Sequence, residues 1–391
     1  VDAGEVTEML LDETQNRLDI VDQNITVTNA ISAADAKLLA DTTTGVVTAT
    51  IATTARVSDL KLLPAESNAF TIVISAEDAT SSTAAEFNAI NSATSVAVDM
   101  TNVTALAAST LSDVNTLALA IKDWRNTDQI RNGGRLTTVA ISDSTIDATA
   151  LATAIDNLDV INLGSTTDMT LASGATINVD AGEVTEMLLD ETQNRLALTD
   201  QNIVVTGNIT VNDANLLNAT TTGTVTAEID PTETVDSLVN LTGTNAYTIK
   251  IASGDATGST AAEFNTINSA TTVAIDASEV TALASSNLSD VKTLLTAAND
   301  TDQFTDSTGK VSFGGLTAVA IADSTVNVSD FNAAVTQANT ATGKTTAANS
   351  GGATVFTLAN AATYSGGTAA DFATLLTNET NGLIDGGITG E

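Results

Sequence analysis

Short segments in which apolar and polar residues alternate recur along the chain, and each is followed by a segment with a helical spacing of apolar residues. The alternating segments are rich in Val, Ile and Thr, which is typical of β-strands; they include NITVTN, VVTATI, AFTIVIS, SVAVDM, TTVAIS and VINLG. The helical segments place apolar residues at i, i+3, i+4 and i+7; they include AADAKLLAD, VSDLKLL, TAAEFNAINS, LSDVNTLALAI, DATALATAIDNL and GEVTEMLLDE. The pattern predicts a strand-plus-helix unit that recurs about every 22 to 40 residues.

A hydroxyl residue followed three positions later by an acid stands at the start of many predicted helices. The pairs are Thr83 with Glu86, Thr260 with Glu263, Thr368 with Asp371, Ser32 with Asp35, and Thr210 with Asp213. In such a capping box the hydroxyl accepts a hydrogen bond from the amide three residues on, and the acid accepts one from the amide of the hydroxyl residue. The acid also faces the positive end of the helix dipole. The motif therefore predicts helix starts rather than catalysis.

The sequence VDAGEVTEMLLDETQNRL occurs twice without change, at Val1–Leu18 and at Val179–Leu196. Longer stretches correspond at nearly the same offset: residues 22–51 match 200–229, 70–99 match 247–276, and 136–146 match 316–326. The chain thus contains a duplication of roughly 178 residues. We divide it into block 1 (1–178), block 2 (179–340) and a C-terminal region rich in Thr, Ala and Gly (341–391).

A strand-plus-helix unit of this length buries little apolar surface alone, so it must pack against its neighbours. Stacked units would pair their strands in a parallel sheet, with right-handed crossovers through the helices. We predict the α/β class and, within it, a solenoid similar in outline to a leucine-rich-repeat rod but without the asparagine consensus of that family. Copying a block of coils lengthens such a rod without a new core, which accounts for the duplication.

The chain is strongly acidic, with 48 acidic and 13 basic residues and a net charge of -35. This charge opposes binding to nucleic acid and to anionic membrane surfaces. It also repels itself unless salt or bound cations screen it, so we expect saline or calcium-containing surroundings. Hydrophobic residues make up 43% of the chain but aromatic residues only 3%, a composition that favours thin, repetitive layers over a bulky core. No apolar run is long enough to cross a bilayer.

Neither cysteine nor histidine occurs in the sequence. Their absence excludes thiol and imidazole catalysis, Cys/His zinc sites and Ser-His-Asp triads. Paired carboxylates suited to glycoside hydrolysis do occur, at Glu183, Glu186, Asp190 and Glu191 and at the identical Glu5, Glu8, Asp12 and Glu13. No aromatic sugar platform accompanies them, and a catalytic cleft is seldom duplicated. We therefore expect a solvated acidic helix face here, and a protein that is not an enzyme.

Aspartates recur where the predicted strands end, at Asp99, Asp143, Asp180, Asp230, Asp276 and Asp323. One interpretation is that each caps the following turn or helix. The alternative is that some of them, Asp99 and Asp276 foremost, bind calcium, which prefers oxygen ligands. A second calcium candidate is the loop with Asp300, Asp302 and Asp306, whose alternative is a solvated loop without an ion.

The segment from Lys122 to Arg135 carries the only Trp of the chain, Trp124, together with Arg125, Arg131 and Arg135. A basic and aromatic group on an acidic chain is complementary to the acidic surface of another copy. The alternative is a loop whose Trp packs on its own coil.

The segments ITVTNAISAADAKLLADTTTGVVTATI and STAAEFNAINSATSVAVD resemble the tandem repeats of very large bacterial cell-surface proteins, notably those of cyanobacteria. The resemblance covers about residues 22–340. It implies a secreted, acidic, cysteine-free protein that serves as a surface layer, fibre or adhesin, often with calcium.

Taken together, these features predict a secreted structural repeat protein of a bacterial extracellular filament or surface layer, with copies of itself as its partners. The alternative hypothesis is an adhesin stalk that displays loops to a ligand such as a surface polysaccharide. Neither hypothesis involves nucleic acid or membrane insertion.

Overall fold

The structure is a computed structural model, and it describes residues 1–65, 68–122, 130–131, 136–161, 167–299, 303–304, 315–340, 353–359 and 362–385, without the side chains of residues 160, 161 and 340. The chain forms two compact units. The first comprises residues 1–179 and 183–201, and the second comprises residues 180–182 and 202–391. These boundaries come from the contacts within each unit, whereas the boundaries of the predicted blocks (1–178, 179–340 and 341–391) come from repetition in the sequence.

Short helices and strands follow one another up to residue 201, with some strands in direct succession. The α-helices are α1 (Val6–Thr14), α2 (Ala33–Thr42), α3 (Val57–Leu60), α4 (Ala84–Ser92), α5 (Leu111–Lys122), α6 (Ala148–Ile161) and α7 (Val184–Thr192). The strands are β1 (Ile25–Ile31), β2 (Val47–Ile51), β3 (Ala69–Thr71), β4 (Val98–Asp99), β5 (Ala105–Ser109), β6 (Ile130–Arg131), β7 (Thr138–Ile141), β8 (Thr145–Asp147), β9 (Asp168–Thr170) and β10 (Thr176–Asp180).

A similar order follows from residue 202 onwards. The α-helices are α8 (Val211–Thr220), α9 (Val235–Leu238), α10 (Ala261–Ser269), α11 (Leu288–Asn299), α12 (Val328–Thr340) and α13 (Ala369–Thr380). The strands are β11 (Asn202–Ile209), β12 (Val225–Ile229), β13 (Ala246–Thr248), β14 (Ala282–Ser286), β15 (Ala318–Ile321), β16 (Thr325–Asn327), β17 (Val355–Leu358), β18 (Thr363–Ser365) and β19 (Ile384–Asp385). Short 3-10 turns lie at Ala3–Glu5, Ala76–Asp78, Ala181–Glu183 and Ser253–Asp255.

All the strand pairs within each unit are parallel in the described part of the chain. In the first unit, β2 lies between β1 and β3, β7 lies between β5 and β9, β4 pairs with β6, and β8 pairs with β10. In the second unit, β12 lies between β11 and β13, the order β14-β15-β17-β19 forms another sheet, and β16 pairs with β18. Parallel neighbours need a crossover, which helices supply here. The predicted α/β class with parallel strands is confirmed.

A bulge interrupts the first pairing of each unit at corresponding places. The register of β1 on β2 shifts between Thr26 and Ala30, where Asn29 has a φ of 66°. The register of β11 on β12 shifts in the same way, and Gly207 has a φ of 88° there. Glycine and asparagine are the residues that adopt a positive φ at least cost, so both sequences suit the bulge.

The capping boxes predicted from the sequence start helices as expected. Both reciprocal hydrogen bonds form at Thr83, Thr260, Thr210 and Thr368. In α4, for example, the Thr83 amide donates to Glu86 at 3.0 Å and the Glu86 amide donates to the Thr83 hydroxyl at 3.3 Å. Ser32 accepts the Asp35 amide at 3.0 Å without the reciprocal bond.

One predicted strand is wrong at its first two residues, and its other three, 162–164, lie outside the described residues. The segment VINLG was expected to be extended, but its first two residues, 160 and 161, form the last positions of α6. The apolar spacing of α6 continues through Leu151, Ile155 and Leu158, all of which are buried. Helical periodicity across the preceding turns therefore outweighs the local preference of two β-branched residues.

The core of each unit consists mainly of small and branched aliphatic side chains around a few buried aromatic rings. One ring differs between the two copies: Tyr247 in the second unit corresponds to Phe70 in the first, and both are fully buried. The Tyr247 hydroxyl donates to the Ala214 carbonyl at 3.1 Å and accepts from Asn245 Nδ2 at 3.2 Å. Burial raises the pKa of Tyr247 to about 12.

The first copy lacks the hydrogen-bond partners that the second copy provides for the side-chain amide of Asn245, whose equivalent is Asn68. In the second copy, Asn245 Nδ2 also donates to Asn218 Oδ1 at 2.8 Å. Ala40 stands where the second copy has Asn218. Among the described residues, Asn68 Nδ2 is buried with no hydrogen-bond partner, while Asn68 Oδ1 keeps the Val47 amide at 2.9 Å. An unmade hydrogen bond of this kind costs about 1–3 kcal/mol.

We predict opposite effects for two reciprocal substitutions at this position. Phe70→Tyr adds a hydroxyl beside Asn68 Nδ2, so the free energy of unfolding should rise by about 1 kcal/mol. Tyr247→Phe removes a partner of Asn245, so the same quantity should fall by about 1 kcal/mol. Urea unfolding of both variants and the wild type measures the difference, and effects of equal sign would contradict the account.

Candidate functional site

Asp99 and Asp276, the two strand-end aspartates proposed as calcium ligands, both cap turns. Asp99 Oδ1 accepts the Thr101 amide at 2.9 Å and the Thr101 hydroxyl at 2.7 Å. Asp276 Oδ1 accepts the Ser278 amide at 3.0 Å and the Ser278 hydroxyl at 2.6 Å. Each carboxylate thus uses one oxygen to close a local turn of the kind that Asp favours.

Three of the other four strand-end aspartates, Asp143, Asp230 and Asp323, have one of two structural roles. Asp230 caps its own turn by accepting the Thr232 amide and hydroxyl, which lowers the pKa of its carboxyl. Asp143 and Asp323 instead accept backbone amides from Leu111 and Leu288, at 2.7 and 2.6 Å. The predicted loop ligands Asp300, Asp302 and Asp306 lie outside the described residues.

The bonds of Asp143 and Asp323 belong to a series of similar hydrogen bonds. In each, the backbone amide of the first residue of a helix donates to a side chain that lies further along the chain. The acceptors and the amide residues are Asp78 with Val57, Ser109 with Ala84, Asp143 with Leu111, Glu233 with Val211, Asp255 with Val235, Ser286 with Ala261, and Asp323 with Leu288. Donor–acceptor distances run from 2.6 to 3.1 Å. We call these bonds the cap series. Each satisfies an amide that the helix itself cannot pair.

A second series links each of several helices to the one after it. A side chain four residues after the first residue of the helix donates to a group in, or just beyond, the next helix. The donors and acceptors are Asn88 with Asp113, Asn115 with Ala150, Asn215 with Asn240, Asn265 with Asp290, Asn332 with Asp371, Lys61 with Glu86, and Lys292 with Asp330. The asparagines donate to backbone carbonyls and the lysines to carboxylates. We call these bonds the link series.

The link series was not predicted, although the sequence carries a signal for it. Asn stands five positions after the cap hydroxyl in Thr83–Asn88, Thr260–Asn265 and Thr210–Asn215. The regular position identifies these asparagines as a set. For these three the acceptor lies 25 residues further on, but in the links from Asn115 and Asn332 it lies 35 and 39 residues further on, so the pattern alone does not identify every partner.

The acidic helix α7 contains a buried ion pair rather than a fully solvated face. Asp190 is 3% exposed and contacts Arg195, whose guanidinium also donates to Asp159 Oδ2 of α6 at 2.6 Å. Burial raises the pKa of Asp190. The predicted solvated face is therefore wrong for Asp190, because α6 covers this side of α7.

A cavity of about 200 Å³ lies beside this ion pair, between α6 and α7. Hydroxyl and carboxyl groups line it, including Thr149, Asp156, Glu183 and Asp190. Thr149 donates to Glu183 at 2.9 Å across the gap. The surroundings are polar and acidic and contain no imidazole or thiol, since the chain has neither.

The predicted basic and aromatic segment from Lys122 to Arg135 lies only in part within the described residues. Arg131 lies in β6 beside Asp99 of β4, whereas Trp124, Arg125 and Arg135 lie outside the described residues.

Within the ranges that the structure describes, no three or more Asp or Glu side chains are grouped closely enough to hold a metal ion. In the same ranges, every helix is too short or too polar to span a membrane.

Comparisons with known proteins return no family. No protein-family model matches the chain, and no curated protein sequence matches it at a significant level.

We predict that a cap-series carboxylate stabilises a helix that it does not belong to. Asp143→Ala leaves the Leu111 amide of α5 without its acceptor, so the free energy of unfolding should fall by about 1 kcal/mol. Asp143→Asn keeps an acceptor oxygen and should cost less. Urea unfolding compares the three proteins, and a wild-type value for Asp143→Ala would contradict the assignment.

We predict a pH-dependent effect on stability at Asp190. Because the folded-state pKa of Asp190 is raised, its protonated form stabilises the fold, and this contribution is lost as the pH rises through the folded pKa. The Asp190→Asn variant has no carboxyl group to ionise there, so it does not suffer this loss. The unfolding free energy of the variant minus that of the wild type should therefore increase between pH 4 and pH 7.

The matched control for this test is Asp12→Asn. Asp12 has the same neighbours in sequence, but its side chain is 36% exposed. The Asp12→Asn variant therefore removes a carboxylate at the same place in the sequence without the burial by α6. Denaturant unfolding at several pH values measures both variants. Equal pH slopes would show that burial by α6 is not the cause.

Proposed function

We propose that the chain is a structural repeat protein of a bacterial extracellular filament or surface layer, built as an α/β solenoid and assembling through contacts between copies. The observation that carries the proposal is the pairing of the cap series with the link series. Both series run from one strand-plus-helix unit to the unit that follows it. Each such strand-plus-helix unit obtains some of its hydrogen-bond partners from the unit that follows it. This dependence favours a stack to which further units can be added.

The chemistry of the chain supports a mechanical role over a catalytic one. With no histidine or cysteine, the chain lacks the imidazole and thiol groups that serve many enzymes as general base and nucleophile. The acidic residues that stood out in the sequence make local structural bonds where their bonds are described: they close turns, cap helices, pair with Arg17 or Arg195, or accept a hydroxyl as Glu183 does from Thr149. A net charge of -35 further favours a saline, extracellular setting, where ions screen the repulsion between copies.

The alternative is a binding module, such as an adhesin stalk for a surface polysaccharide. A cavity of about 800 Å³ beside α11 and α12 favours it, since Ser289, Thr293, Thr325 and Asn327 offer hydroxyl and amide groups there. The described residues that line this cavity include no aromatic side chain on which a sugar ring could stack. We therefore prefer the structural role.

Electron microscopy of the purified chain tests the proposal. We expect ordered fibres or sheets at high protein concentration in saline buffer containing calcium. Loss of order on adding a chelator would assign calcium to the assembly, and unchanged order would remove calcium from it. A protein that remains a monodisperse monomer under all these conditions, and binds a glycan instead, would support the adhesin hypothesis and refute the structural one.

A further inference from the structure

Two leucines at the surface of α2 and α3, in the first unit, are turned to solvent. Leu38 of α2 is 51% exposed, and Leu62, which lies two residues after the end of α3, is 58% exposed. No other large hydrophobic side chain in the described part of the chain is more exposed than Leu62. Exposed apolar residues that lie close together, unlike single ones, mark sites of contact with other molecules.

A cavity of about 330 Å³ lies between α2 and α3, beside these leucines. Lys37, Asp59 and Leu62 line it, together with the alanines Ala33, Ala34, Ala52 and Ala55. Leu38 follows Ala34 by four residues, so both lie on one side of α2. Since a cavity of about 150 Å³ already holds a benzene molecule, this one has room for a leucine side chain from another molecule. We define the α2–α3 patch as Ala34, Lys37, Leu38, Asp59 and Leu62.

The second copy shows that these positions face solvent irrespective of what precedes them in the chain. The equivalents of Leu38 and Leu62 are Leu216 and Asn240, which follow the whole of block 1. Leu216 is 47% exposed, and Asn240 is exposed as well. The exposure of the α2–α3 patch is therefore a property of the strand-plus-helix unit itself.

The charge of this region sets it apart from the rest of the chain. Residues 32–62 contain three acidic and three basic residues and so have no net charge, whereas the whole chain has a net charge of -35. The equivalent residues 210–240 contain five acidic residues and no basic one. Acidic copies repel each other, and this repulsion is weakest where positive and negative charges balance. The α2–α3 patch thus combines exposed apolar side chains with a neutral surrounding.

We propose that the α2–α3 patch of one copy binds the same patch of a second copy. The inference rests on the proposed structural function and names one of its contact surfaces. The contact is isologous, so each pairing occurs twice. Leu38 of each copy enters the alanine-lined cavity of the other, and Lys37 of each copy approaches Asp59 of the other. Such a contact closes on itself and joins two chains, so growth of a filament uses other surfaces.

The balance of charges is what favours a second copy as the occupant. A strongly acidic or strongly basic partner would leave charges of one sign unpaired at the contact. The same patch on a second copy instead offers Lys37 to Asp59 and Asp59 to Lys37, so it is complementary to itself. The region 210–240, with a net charge of -5, lacks this property.

Sedimentation velocity of the full chain in saline buffer tests this contact. The wild type should form dimers as its concentration rises. Leu38→Asn removes the inserted leucine, and Leu62→Asn introduces the residue that the second copy carries at the equivalent place. Each should raise the dissociation constant of the dimer about hundredfold, since two leucines per dimer leave the contact.

Leu216→Asn is the matched control for Leu38→Asn, and it should form dimers as the wild type does. Circular dichroism melting curves should show that all three variants fold, since each substituted leucine is exposed. An effect of Leu216→Asn as large as that of Leu38→Asn would contradict the assignment to the α2–α3 patch.

Chemical cross-linking supplies a second measurement, since the chain has no cysteine of its own. A short bismaleimide should link Leu62→Cys chains into dimers, whereas Leu216→Cys chains should give far fewer. Wild-type chains that assemble although neither Leu38→Asn nor Leu62→Asn weakens association would overturn this contact and leave the proposed function standing. A wild type that stays monomeric under every condition would overturn both.

Discussion

A short helix leaves its first backbone amides without partners, and in this chain the partner often comes from the next strand-plus-helix unit. Asp143 serves α5 in this way and Asp323 serves α11, at equivalent places in the two copies. Helices of nine to twelve residues such as α4 and α5 are marginal by themselves in water. Their stability depends on what the following segment supplies, so each strand-plus-helix unit is coupled to the strand-plus-helix unit that follows it in the sequence.

This coupling gives a structural reason for part of the acidic composition. A carboxylate accepts strong hydrogen bonds from backbone amides, and it is favoured at the positive end of a helix. Glu86 illustrates the point, because a hydrogen bond from Lys61 and another from the Thr83 amide hold the pKa of its carboxyl below the usual range. Its stabilising contribution is thus present at neutral pH and is lost as the pH falls through the folded pKa. Much of the other charge in the described part of the chain is exposed to solvent, where it discourages contacts that are not specifically built.

The duplication shows which contacts tolerate change. The bulge is kept with Asn29 in one copy and Gly207 in the other, because both residues accept a positive φ. The polar network around Tyr247 is present in one copy only, and its absence leaves an unpaired amide at Asn68. In the eighteen residues that are identical in both copies, the sequence is unchanged but the surroundings differ. The same side chains are therefore more buried in one copy than in the other.

The sequence alone determined the local structure of this protein. Capping boxes such as Thr83 with Glu86, alternation within β2 and helical spacing in α5 act over a few residues, so the printed sequence contains every participant. The parallel α/β class also followed, because strands that alternate with helices require crossovers. The end of α6 was misjudged where two local preferences compete.

Only the tertiary structure decided which distant groups meet. The burial of Asp190 depends on α6, and the acceptors of the asparagine links lie 25 to 39 residues further along the chain. It also decided that Asp143 serves another helix while Asp99 closes its own turn, although both residues lie near the end of a strand. Hydrogen bonding and desolvation depend on distances in space, and the spacing between successive units is too variable for sequence position to specify those distances.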